Sequence, residues 1–117
     1  EEHFRRAMAA RASGNGAVME AELKAVLEDV ASNHYYEAGL ALAQHLEATG
    51  RPDDALAILG RLQWRFPAFP EPYRLEALLH RGQGNDRGAR EAVLRGITYC
   101  PGDQPLREVL SQLQSSG

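Results

Sequence analysis

"YEAGLALAQHLEATGRPDDALAILGRLQWRFP", residues 36–67, reads as two helices joined by a tight turn. Its two halves, "YEAGLALAQHLEATG" and "DDALAILGRLQWRF", each repeat apolar residues at helical spacing and end or begin at strong punctuation. Between them, Gly50 closes the first helix because a residue without Cβ takes the left-handed conformation at little cost. Pro52 suits the first turn of the second helix, where a missing N–H is not missed, and Asp53 and Asp54 favour that helix's N-terminus. Pro67 ends the unit, since proline cannot continue a helix.

The same punctuation recurs along the chain. "MEAELKAVLEDVA" places Met19, Leu23, Val26, Leu27 and Val30 on one stripe. "GNDRGA" begins another helix with Asn85 or Asp86 as its cap, and "PGDQPLREVLSQL" begins a last one capped by Asp103. That last helix has Leu106, Val109, Leu110 and Leu113 as its apolar face. No alternating run with hairpin chemistry is present. The sequence therefore predicts seven helices with short joints, an all-α chain. The joints are periodic. Gly16, Gly50 and Gly84 lie 34 residues apart, as do Ala21, Ala55 and Ala89, then Ala9, Ala43, Ala77 and Ser111, and also Pro67 and Pro101. Small side chains allow close helix crossings, glycine ends the first helix of a pair, and proline ends the second.

On these residues the chain resembles the tetratricopeptide repeat (TPR) family, whose period is 34. In residues 36–67, Leu42-Ala43 matches the family's Leu-Gly/Ala pair. Gly50 matches the turn glycine, Ala55 the small residue, Leu59 the large apolar site and Pro67 the terminating proline. The next unit matches through Ala77, Gly84, Ala89, Val93 and Pro101. The first matches more weakly through Met8, Ala9, Gly16 and Ala21, with Asn33 where proline is usual. The resemblance implies an α-solenoid of three helix pairs, residues 2–35, 36–69 and 70–103, closed by a capping helix over residues 104–115. It departs from the family pattern at Gly39 and Leu46, where first-helix aromatics are usual, and at Glu76, which replaces a core leucine.

"WRFPAFPEPY", residues 64–73, contains a P-x-x-P spacing from Pro67 to Pro70, the pattern read by SH3-type domains. The repeat register favours a joint instead. Pro67 ends one unit, Pro70 and Pro72 enter the first turn of the next helix, and Trp64, Phe66, Phe69 and Tyr73 are expected to fill the seam.

Composition narrows the function. The 117 residues carry 44% hydrophobic and 25% charged side chains, ordinary for a soluble globular domain. A net charge of −3 leaves no electrostatic footprint for nucleic acid. It divides into −5 over residues 1–54 and +2 over residues 55–117, and twelve of the thirteen basic residues are arginine. No segment is expected to insert in a membrane. The start on Glu1 and the "SSG" ending suggest an excised piece whose targeting signal is missing, with a cytoplasmic location favoured. One cysteine, Cys100, excludes an internal disulfide framework and reads as a small apolar filler. His3, His34, His45 and His80 have no metal-binding spacing, and no nucleophile elbow or Walker loop occurs. Catalysis, a metal and a cofactor are not expected.

The resemblance then implies a binding role. The concave face of such an array is lined by the first helix of each pair. Its recurring positions fall on His3, Arg6 and Ala10 in the first unit, and on Glu37, Leu40, Gln44 and Glu47 in the second. In the third they fall on Glu71, Arg74, Leu78 and Arg81, and in the last helix on Glu108 and Gln112. The clamp that some TPR co-chaperones use for a C-terminal carboxylate lacks its asparagines here, with Ala10 and Ala41 in their places. The expectation is a scaffold or adaptor, an interaction module for a hydrophobic, modestly acidic protein or peptide segment. A regulatory or substrate-positioning region of a larger enzyme, as in the TPR-fused glycosyltransferases and sulfotransferases of bacterial chains, is the alternative, with a small secretion or assembly chaperone as a third.

Overall fold

The computed structural model describes residues 2–116, of which Ser116 is described by its backbone alone. Glu1 and Gly117, on which the reading of an excised piece rests, lie outside the described residues. The described chain is all-helical, with no strand. Its helices are α1 (Glu2–Ala12), α2 (Gly16–Leu27), α3 (Tyr35–Ala48), α4 (Pro52–Arg65), α5 (Glu71–Gly82), α6 (Asp86–Tyr99) and α7 (Gln104–Ser116). The chain divides into two compact units, Glu1–Ile58 and Leu59–Gly117.

In the first unit α1 packs on α2 and α2 on α3. The α1–α2 joint turns at Gly14, whose φ of 78° is left-handed, and Asn15 then caps α2 by accepting the Val18 N–H at 3.2 Å. After α2, Asp29 accepts the Ala31 N–H and Ser32 Oγ accepts the His34 N–H, each at 3.1 Å. Such local side-chain bonds offer the backbone an alternative to continuing the helix. Val30 therefore falls beyond α2 and is exposed, not on the apolar stripe expected for it. Ala7, Ala10, Met19, Leu23, Val26, Leu27, Leu42, Ala43 and Leu46 are all buried.

The 34-residue register slips at both ends of the chain. Gly50 and Gly84 turn left-handed, at φ 76° and 75°, but their counterpart is Gly14; Gly16 is already the first residue of α2. Ala55 and Ala89 are fully buried, whereas Ala21 is exposed and Met19 is buried. Ala43 and Ala77 are buried, whereas Ala9 is exposed and Ala7 is fully covered. All three discrepancies are corrected by moving the first unit two residues toward the N-terminus. Ser111 is likewise exposed, and Leu113 two residues later is buried.

In the second unit α5 packs on α6, and α7 on both. Pro72 lies in the first turn of α5, as expected, whereas Pro70 stands just before the helix as its N-cap. Asn85 caps α6 by accepting the Gly88 N–H at 2.9 Å, and Asp103 caps α7 by accepting the Leu106 N–H at 3.0 Å. Tyr73, Ala77, Ala89, Ala92, Val93, Leu106 and Leu113 form a continuous buried core. Gly96 sits against it, where a Cβ would come within 2.8 Å of Tyr73 Cβ and 2.9 Å of a Leu106 methyl.

Of the four aromatics expected to fill the seam, only Tyr73 is a core residue. Its hydroxyl donates to the Pro67 carbonyl at 2.9 Å. Phe66 and Phe69 stack on each other with centroids 5.5 Å apart, Phe69 being exposed. Trp64 is 89% exposed, which corrects the expectation that it is packed. The reason is helical phase. Leu59 and Leu62, both fully buried, define the inward side of α4, and two further residues turn the chain by roughly 200°.

Candidate functional site

On α5, residues 74, 78 and 81 recur at i, i+4 and i+7, so Arg74, Leu78 and Arg81 project from one side of the helix. Leu78 is 51% exposed. Arg74 is held by Glu71 at 2.8 Å, with its Nε 3.9 Å from Asp103. Arg81 donates to Gln112 Oε1 of α7 at 3.0 Å. The two guanidinium groups thus flank an open leucine: Arg74 is half-buried and ion-paired with Glu71, whereas Arg81 is bound to a neutral amide.

In the first unit, Glu37, Leu40, Gln44 and Glu47 share one side of α3. Leu40 is half-buried and the other three are exposed. Glu37 lies 3.5 Å from His34. Arg6 pairs with Glu2 at 3.1 Å and approaches Glu22 of α2 at 3.9 Å, and His3 meets the same Glu22 at 3.0 Å.

Each unit also holds a carboxylate hub. In the first, Glu20 receives both ends of the Arg51 guanidinium, at 2.9 and 2.6 Å. Lys24 stands at 2.8 Å and His45 Nε2 at 3.1 Å. Hydrogen bonds from Arg51 first and then Lys24 hold the Glu20 carboxyl well below the usual carboxylate range.

In the second unit, Glu76 takes hydrogen bonds from Gln63 Nε2 at 2.6 Å, Arg95 at 2.7 Å and His80 at 3.2 Å. Burial alone pushes the Glu76 carboxyl up. The bonds from Gln63, Arg95 and His80, with the Arg95 charge, together outweigh burial and leave its pKa lowered. The cap of α6 assigns the tautomer of His80. Asn85 commits its Oδ1 to the Gly88 N–H, so its amide nitrogen faces His80 Nδ1 at 3.4 Å, and that ring nitrogen must accept. The proton then sits on Nε2 and is donated to Glu76.

These hubs predict an acid-sensitive fold. A folded-state pKa below the ordinary 4.5 contributes stability that is present above the unfolded value and lost as pH falls. The melting midpoint should therefore fall progressively as the pH drops below about 5, and less steeply in Glu20→Gln/Glu76→Gln protein. An identical pH profile in the variant would remove the hubs from the explanation.

Neither hub was foreseen as such. The i, i+4 pairs Glu20–Lys24 and Glu76–His80 are visible in the sequence, but Arg51 and Arg95 arrive from 31 and 19 residues away with no local signal. Burial raises the Cys100 thiol and the nearby Asp103 carboxylate adds to it, which opposes thiolate formation. No group of three or more His, Cys, Asp or Glu that could hold a metal ion occurs among the described residues, and no helix is long and apolar enough to cross a membrane. No protein-family model matches this chain, and no curated protein matches it.

Proposed function

We propose that the chain is a TPR-like array of helix pairs acting as a protein-interaction module, with no catalytic role of its own. The ligand is a peptide or partner segment presenting a hydrophobic side chain with carboxylates beside it. The observation that carries this reading is the open side of α5, where Leu78 stands exposed between Arg74 and Arg81. An exposed leucine alone says little, but one bracketed by two guanidinium groups on a packed helix suits an apolar anchor with flanking acids. Left-handed glycines after α1, α3 and α5, and the buried alanine pairs Ala43/Ala77 and Ala55/Ala89, support the repeat reading.

The test replaces both arginines. Arg74→Ala/Arg81→Ala is expected to abolish capture of the native partner while leaving helicity and melting nearly unchanged, because the half-exposed Arg74–Glu71 pair and the exposed Arg81–Gln112 bond contribute about 1 kcal/mol or less each. A photo-crosslinking residue at position 78 should label that partner in the parent protein only. Undiminished capture and labelling in the double variant would refute this face as the binding site.

A further inference from the structure

The second unit carries a cavity of about 350 Å³, with Leu78 not among its lining residues, that has four unusual features. The first is its aromatic wall. Trp64 lines it at 89% exposure, and Tyr99 lines it at 57%. Tyr99 stacks on Tyr73, with centroids 6.4 Å apart and planes 12° off parallel, and Tyr73 is itself tied to Pro67. An apolar surface of this size left in water is the informative exception to burial, and tryptophan and tyrosine are the side chains that most often anchor a partner.

The second feature is Gly60, in the middle of α4, which also lines the cavity. A Cβ there would meet nothing within 4 Å, so no packing contact calls for a glycine, which destabilises a helix interior. Its effect is to leave the backbone bare where a ligand would approach. The third is charge. Arg95 lines the cavity, but its guanidinium is fixed and neutralised by Glu76, so the site as a whole attracts no anion. The fourth is hydrogen-bonding balance. The remaining Arg95 N–H groups and the indole N–H of Trp64 are donors. Gln63 has its amide nitrogen committed to Glu76 and Pro72, and offers only its Oε1.

A small, uncharged, aromatic, donor-rich cavity calls for an apolar ligand rich in acceptors and poor in N–H groups. We infer that this cavity binds a short extended peptide segment containing consecutive prolines. Proline lacks an N–H, and the polyproline II helix leaves every carbonyl unbonded and is ordered before it binds. Aromatic-lined grooves recognise such segments. This site is separate from the α5 face carrying Arg74, Leu78 and Arg81 and does not depend on it.

Trp64 is the chain's one tryptophan, so its emission reports on the cavity directly. Titration with acetylated, amidated decaproline should shift that emission to the blue and saturate, whereas an equally long glycine-serine peptide should not. Polarisation of dye-labelled decaproline should show a loss of roughly tenfold or more for Trp64→Ala and Tyr99→Ala. Gly60→Leu separates binding from folding: it should raise the melting midpoint, as a better helix former, while filling the cavity and abolishing decaproline binding. Arg74→Ala/Arg81→Ala protein should bind decaproline as the parent does, so failure at one face is distinguishable from failure at the other. No shift at millimolar decaproline, or binding that survives Gly60→Leu, overturns the inference. So does a blue shift driven by protein concentration alone with a dimer at sedimentation equilibrium, which would assign the surface to a second copy of the chain.

Discussion

Replacing Tyr73 by alanine is expected to destabilise the second unit by about 3–5 kcal/mol, the range for truncating a large buried aromatic. Tyr73 is 2% exposed, belongs to the core shared with Ala77, Val93, Leu106 and Leu113, and supports the ring of Tyr99. Its removal leaves a cavity under α6 and leaves the Pro67 carbonyl with only the weak Cys100 thiol contact at 3.9 Å among its side-chain donors. Against a total stability of about 5–15 kcal/mol for a typical domain, such a loss is large enough to populate unfolded protein at room temperature. Tyr73→Phe isolates the hydroxyl and should lose only about 1 kcal/mol. Urea unfolding followed by circular dichroism measures both. Trp64→Ala supplies the contrast, with an expected change within about 0.5 kcal/mol because its ring packs on so little. Equal midpoints for the Tyr73 and Trp64 alanine variants would contradict the core described for this unit.

The second large effect comes from adding atoms rather than removing them. Gly96→Val should destabilise by about 2–3 kcal/mol, near the upper end of ordinary overpacking. Two effects compete here. Valine is the better helix former, by a few tenths of a kcal/mol, roughly. Its Cβ, however, would fall 2.8 Å from Tyr73 Cβ, an atom fixed to the α5 backbone that cannot swing aside as the Leu106 methyl can. Relief therefore requires α5 and α6 to move apart, which loosens the core they share. A melting midpoint at or above that of the parent would show that the crossing is less tight than these distances state.

Seven helices were legible in the sequence because their ends are written locally. Pro52 opens α4, Asn85 and Asp103 cap α6 and α7, and Gly50 and Gly84 turn the chain where the pattern placed them. The spacing of 34 residues was legible between the second and third units and misleading for the first. There Gly16 completed an arithmetic column while Gly14, two residues earlier, made the turn. Two glycines flank Asn15, and period alone could not choose between them. Trp64 was misjudged for a related reason. The expectation rested on its nearness to prolines and other aromatics, whereas its place relative to Leu59 and Leu62 on α4 turns it to solvent. Glu76 was read as a lost core leucine. What it does depends on Gln63 and Arg95, which reach it from α4 and α6, 13 and 19 residues away, beyond any one helix.

The three left-handed turns carry a consequence in terms of chirality. At Gly14, Gly50 and Gly84 the backbone takes dihedrals that suit a mirror-image amino acid, and glycine is tolerated there because it has no handedness. Every other described residue with a side chain keeps the sign of φ that L-chirality prefers. The described chain thus reverses its handedness at the turns following α1, α3 and α5, and only at achiral residues. An L-residue at any of these three joints would be strained however much room surrounds it, whereas a D-alanine placed there by chemical synthesis would meet its own preferred backbone and restrict the unfolded chain as well.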